Sequence, residues 1–446
     1  MKTLSSVVAF FLLSACQPKE TSVQKYETKY PTFEEQEQAE KMLANLGYDK
    51  DDEGKVIEAI HTNNTSLLQF YLDSGFHGYI IDPLVEAASI GNLDILQYLV
   101  EERGLSVNGS DELGRTPITA AIQAGHKEII AYLMEKGAEV DWADEEGRTP
   151  LIFATARGDS DTVKRLLEKG VDVNRRDYLG NTALVVAAVK GHSNIFKMLL
   201  EKGADPHAKN NFNANLVHAA VVGGNAEILR ELMNRKVDVN LRDKTSETPL
   251  AMAVYRFNIT FVDILLQNGA ATYKLDEDGD SPLILAMRGA FEAQNKRDRL
   301  AKLLGGSEQE DFPIRIDKDL NTSSLLVMKL LNAGANPNLA GRDKTTPLML
   351  AAMLVNGTIM DELIKAEAET NAQDTKGWTA LHYAAEGGNT WNIESLLAAG
   401  ANPHIKNNAG QTPLKIAQKW GLTDAAQTLT KAMNSPRPVQ EAQEEK

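Results

Sequence analysis

From residue 116 onward the apolar positions of this chain recur at one fixed interval. Ala121, Ala154, Ala187, Ala220, Ala253 and Ala286 fall 33 residues apart, and Leu133, Leu166, Leu199, Leu232 and Leu265 keep the same spacing. A polar turn separates each leucine from the next triplet, and the triplets keep step as well. They read Thr116-Pro117-Ile118, Thr149-Pro150-Leu151, Thr182-Ala183-Leu184, Asn215-Leu216-Val217, Thr248-Pro249-Leu250 and Ser281-Pro282-Leu283. Such a period predicts a stack of identical small units. Within one unit, Thr or Ser caps a helix with its hydroxyl and Pro follows where no N–H is needed. Gly125, Gly158, Gly191 and Gly224 are placed to end that helix in a left-handed conformation. A second helix carries the leucines, and Gly137, Gly170, Gly203 and Gly269 close it. The alanine row marks where two antiparallel helices approach too closely for a larger side chain.

Several residue types recurring together at this period resemble the ankyrin repeat, down to Gly-Ala-Glu-Val-Asp at 137–141 and Gly-Arg-Thr-Pro-Leu at 147–151. The resemblance covers roughly 55–433 and implies an all-α ankyrin-repeat solenoid of about ten or eleven units. A degenerate pair, Val56 to His61 and Leu67 to Leu72, starts it, and Asp82-Pro83-Leu84 opens the next unit. That unit ends in Glu101-Glu102-Arg103-Gly104 with one residue too many. Pro282 and Pro347 lie 65 residues apart, so about 32 are extra. Since Ser324 to Gly334 reads as a second helix, the insertion falls between the helices of one unit, at about 290–322, and repeat insertions map to loops on one face. Lys296, Arg297, Arg299, Lys302, Glu308, Glu310 and Asp311 would make it a charged protrusion. An additional degenerate unit ending at Gly305 is the alternative. The period resumes at Ala351, Ala384 and Ala417, and the polar last unit suits a terminal cap.

The ends of the chain read differently. Lys2, the apolar run Leu4 to Leu13 and then Leu13-Ser14-Ala15-Cys16 have the form of a signal peptide over 1–15, too short to span a bilayer. Its last four residues resemble the bacterial lipobox, which implies lipidation of Cys16, the only cysteine of the chain. By the same resemblance, Gln17 points to an outer-membrane lipoprotein facing the periplasm. Residues 16–54 comprise a tether and one helix. Thr32 and Glu35 have capping-box spacing, and Phe33, Ala39, Met42, Leu43 and Leu46 suggest a face packed on the first repeat. Residues 434–446 read as a disordered tail. With no second cysteine, no disulfide supports the fold.

The net charge of −15 disfavours nucleic acid as a partner. No catalytic or phosphate-binding motif is present, and no histidine pair has metal-ligand spacing, so no enzyme activity, cofactor or metal is expected. Asp144, Asp177, Asp243 and Asp276 recur once per unit at the turn tips, which suits loop hydrogen bonding better than acid–base work. His218 and His382 occupy the fourth place of the opening tetrad, where the resemblance implies hydrogen bonds between loops.

The resemblance further implies a concave surface made by the turn tips and by two positions late in each first helix. Carried onto this chain, it takes in Arg157, Arg176, Tyr178, Lys190, Lys209, Phe212, Arg242, Lys244, Tyr255, Arg256 and Arg288. Glu112, Glu145 and Glu146 flank them on one side, and Glu277, Asp278 and Asp280 on the other. A basic, aromatic centre in an acidic chain suits a protein partner with an acidic patch. The expectation is a lipid-anchored, monomeric binding protein, for instance an immunity protein against a secreted toxin. An envelope scaffold or stress-protection factor is the alternative, and an enzyme using the 290–322 insertion ranks last.

Overall fold

The computed structural model describes residues 32–76, 82–303, 314–354 and 357–434, with side chains for all of these but 296–303 and 314–320. Cys16, the signal, the tether up to residue 31 and the tail beyond residue 434 lie outside the described residues. Among those described, eleven pairs of helices follow one another, with one short bridge, Lys209 to Asn215, as extended pairing. They fall into two compact units, Met1–Val237 and Asp238–Lys446.

In the first unit the pattern of the period becomes the pattern of the core. First helices Pro117–Ala124, Pro150–Arg157, Ala183–Lys190 and Leu216–Gly223 pack side by side through Ala121, Ala154, Ala187 and Ala220, each fully buried. Gly223 shows how close they come: a Cβ there would meet the Ala188 carbonyl oxygen at 2.1 Å. Second helices lay Leu133, Leu166, Leu199 and Leu232 against them at zero exposure, each contributing about 1.5–3 kcal/mol. Gly125, Gly158, Gly191 and Gly224 do end the first helices, with φ between 67° and 91°.

The extra residue near Glu102 becomes a single π-helical turn, Tyr98–Glu102, which absorbs one inserted residue without breaking the helix. Arg103 then pairs with Asp73 at 2.6 Å. Helix Phe33–Asn45 has the expected capping box at Thr32 and Glu35 and packs on Thr65–Asp73. Its apolar face is narrower than the sequence suggested, because only Ala39 and Leu43 are buried while Phe33, Met42 and Leu46 stay exposed.

In the second unit the described parts of the insertion, 290–303 and 314–322, are helical. The first helix runs on from Pro282 to Leu303 and the second begins at Ile314 and ends at Asn332, the two packing along each other. Two local causes account for this. Ala290 stands where sister units place the left-handed glycine, and 291–303 holds neither Gly nor Pro. Ala290, Ala293, Ser323 and Leu326 are buried at its base, and Gln294 Nε2 donates to the Met353 carbonyl at 3.3 Å. The residues 304–313 lie outside the described part. Among the described residues, no helix is long and apolar enough to cross a membrane.

Candidate functional site: turn tips and inner helix ends

Most turn tips are held by one carboxylate or carboxamide, the tip at 341–345 having Gly341 in that place. Asp144 Oδ1 accepts the N–H of Glu146 at 3.0 Å and of Arg148 at 2.8 Å. Asp177, Asp243 and Asp374 do the same for the residues two and four further on, and Asp276 takes the Asp280 N–H at 2.8 Å. The recurrent acids therefore build the turn. Within the first unit, neighbouring tips are joined by Glu145 N to Leu113 O, Tyr178 N to Glu146 O and Asn211 N to Leu179 O, at 2.8–3.1 Å.

Two side-chain devices run between neighbouring repeats, and the sequence reading missed both. Asn174 donates to the Gly203 carbonyl at 3.2 Å and accepts the Asp205 N–H at 2.8 Å. Asn240, Asn338 and Asn371 repeat this pair in the second unit. Their signal was available, since all four stand eight residues before a capping threonine. The second device covers first-helix ends. Asn92 donates to Ile60 O at 2.8 Å, His126 Nε2 to Ser89 O at 3.1 Å, and Asn225 to Gly191 O at 2.9 Å. At Asp159 that register holds no donor, and Arg157 supplies one to Gln123 O at 2.7 Å while lying over Gly125.

The expected site residues thus divide. In the first unit Arg157 and Arg176 are clasps, the latter donating Nε to Gly180 O at 3.1 Å and Nη2 to Lys209 O. Tyr178 rests on Gly147 and is 71% exposed, Phe212 is half-buried, and Lys190 and Lys209 are exposed. In the second unit Arg242 repeats the Arg176 clasp, onto Ser246 O at 3.1 Å and Leu275 O. Arg288 grips Asp280 with Nε at 2.7 Å and Nη2 at 3.2 Å. Lys244, Tyr255 and Arg256 are exposed. Cations and aromatics are therefore brought to the tips and helix ends, but the arginines are partly occupied by the fold.

The electrostatics differ from tip to tip. Arg148 reaches Asp144 at 2.8 Å and Glu146 at 2.9 Å, with its guanidinium 4.8 Å from the Phe153 ring centre. Glu247 holds the equivalent place beside Asp243, where burial first, then the charges of Asp243 and Asp276, push its carboxyl up to about 7. Burial raises Asp280 against the pull of Arg288. His382 is buried, hydrogen-bonded to Thr379 Oγ1 at 2.9 Å and to Gln411 O at 3.0 Å, and its burial lowers its pKa. His218 bonds to Asn215 Oδ1 at 2.8 Å, so both tetrad histidines are structural. Among the described residues, no group of three His, Cys, Asp or Glu side chains could hold a metal ion.

Residues 56–144, 137–210, 216–304, 320–407 and 356–438 match the sequence profile of ankyrin repeats in three copies. The chain belongs to the ankyrin repeat family. It is similar to alpha-latrotoxin-Lh1a from Latrodectus hasselti, 34% identical over 79 residues. That stretch takes in 18% of this chain and 6% of the toxin. Ankyrin repeats suggest a protein-binding scaffold.

Proposed function

We propose that this chain is a non-catalytic protein-binding scaffold of the bacterial envelope, anchored by lipid on Cys16 in the outer membrane and facing the periplasm. It binds an acidic protein surface as a monomer, in the role of an immunity protein that neutralises a secreted toxin. The observation that carries the reading is the set Tyr178, Lys190 and Lys209 in the first unit. Tyr178 is exposed to 71% on a backbone tied to Glu146, and both lysines are exposed. Tyrosine is a usual hot-spot residue, and exposed lysines in the same part of a chain of charge −15 would steer acidic partners to it.

Affinity capture of the processed chain from envelope extracts, at low and high salt, supplies the partner. Lys190→Glu with Lys209→Glu is expected to weaken the captured complex by about 2–5 kcal/mol and to remove its salt dependence. A complex that survives both reversals unchanged, or a basic partner, overturns the acidic-partner reading. Fatty-acid labelling that persists in Cys16→Ser overturns the anchor.

A further inference from the structure

We infer that the second unit carries a receptor for an arginine side chain of a partner, formed by Trp378 and Tyr383 with the carboxylates of Glu386 and Asp343. The inference rests on the protein-binding reading above, but on different residues and an opposite charge.

The chain supplies its own template. In the first unit Arg148, the residue before a capping threonine, lies over the ring of Phe153 at 4.8 Å and is held by Asp144 and Glu146. Phe153 stands four places after Thr149, and Asp144 five before it. The same three places around Thr379 are Trp378, Tyr383 and Asp374. The aromatic ring and the turn carboxylate are retained, while a second ring replaces the arginine. Trp378 and Tyr383 have ring centres 5.0 Å apart at 45°, and Trp378 also leans on His382 at 5.8 Å.

This pair is rigid and partly open. Tyr383 donates its hydroxyl to Asp374 Oδ2 at 2.6 Å, which fixes the ring and keeps the phenol protonated. Asp374 is buried and already accepts the N–H groups of Lys376 and Trp378, so it serves the turn. Trp378 and Tyr383 are each half-buried, neither sealed in the core nor fully exposed. Glu386, at the end of the same helix, and Asp343, on the preceding tip, are both exposed, and both charges act on the Tyr383 hydroxyl. Thr375 N donates to Asp343 O at 3.1 Å, which ties the two tips together. Ring faces attract a cation through their quadrupole, and carboxylates at the rim add charge-assisted hydrogen bonds. Lys344 and Lys376, exposed on the same two tips, oppose any cation by charge, so the rings must supply what charge alone does not. A planar guanidinium gains from stacking as well as from charge, so arginine suits the place better than lysine.

A fluorescein-labelled octa-arginine peptide, titrated into the processed chain and followed by anisotropy, tests this. Trp378→Leu, which leaves the net charge alone, is expected to weaken binding about tenfold. Trp378→Phe should keep most of the affinity, and Glu386→Gln should lose about threefold. Tetramethylammonium chloride should compete better than sodium chloride at equal ionic strength. The inference is overturned if Trp378→Leu binds like the native chain. It also falls if Trp378→Phe loses as much as Trp378→Leu, because packing and not a ring–cation contact is then responsible. Neither outcome bears on Lys190 and Lys209, so this reading and the acidic-partner reading can fail separately.

Discussion

The tips at residues 144–148 and 243–247 share one backbone and differ in one companion. In both, an aspartate Oδ1 accepts the N–H groups two and four residues on, at 2.8–3.0 Å. In the first, Arg148 lies against the carboxylate, whereas in the second Glu247 is buried there to 8% exposure. The turn is evidently made by the aspartate and the backbone, which tolerate either companion. What the companion sets is the dependence on protons: an arginine brings a fixed positive charge to the aspartate, while a glutamate makes the tip carry a proton or bear two adjacent charges.

Three sets of substitutions would break or sharpen this contrast. The largest effect is expected at the shared element. Asp144→Ala strands two part-buried N–H groups and leaves Arg148 with Glu146 alone, and should cost about 3 kcal/mol by denaturant unfolding. Asp243→Ala should cost about 1 kcal/mol less, because it relieves Glu247. Equal losses would mean that the companions are energetically alike.

A smaller effect belongs to Glu247 itself. Its folded carboxyl titrates near 7, above the ordinary value of 4.5. The stability contributed by its protonated form is therefore full below pH about 4.5 and is lost as pH rises through 7. Glu247→Gln should raise stability at pH 8 by about 2 kcal/mol, change little at pH 4, and flatten that part of the profile. An unchanged slope between pH 5 and 8 would place the titration elsewhere.

The smallest change concerns Asp141, eight residues before Thr149, in the register where Asn174 and Asn240 tie one unit to the next. Its Oδ1 is buried with no hydrogen-bond partner. Asp141→Asn supplies a donor for the Gly170 carbonyl and should stabilise the first unit by about 1 kcal/mol. Asn174→Asp should cost a similar amount, and a null result in both would show that the tie contributes nothing.

Much of the architecture was legible because it is local and repeated. The alanine row, the capping threonines and the left-handed glycines each act within one helix or one turn, and eleven repetitions of the helix pair let the period stand out. Even the single extra residue near Glu102 was visible as a break in that count, and the structure resolves it as a π turn. The candidate surface was legible only as a set of registers. That Arg157, Arg176, Arg242 and Arg288 are bonded to carbonyls or to Asp280 could not be read from them, because those acceptors lie up to 34 residues away or depend on rotamer.

The amino-acid sequence by itself thus determined the unit, its caps, its turns and the order in which units follow, since hydrogen bonds three to five residues apart settle those. Tertiary structure alone decided which charges are spent on the fold and which face water. It also decided that 290–303 continues a helix, that Glu247 is desolvated beside Asp243, and that Trp378 meets Tyr383 ring to ring. Each of these depends on burial and on distances between separate turns and helices, and those are set only when the helices are packed.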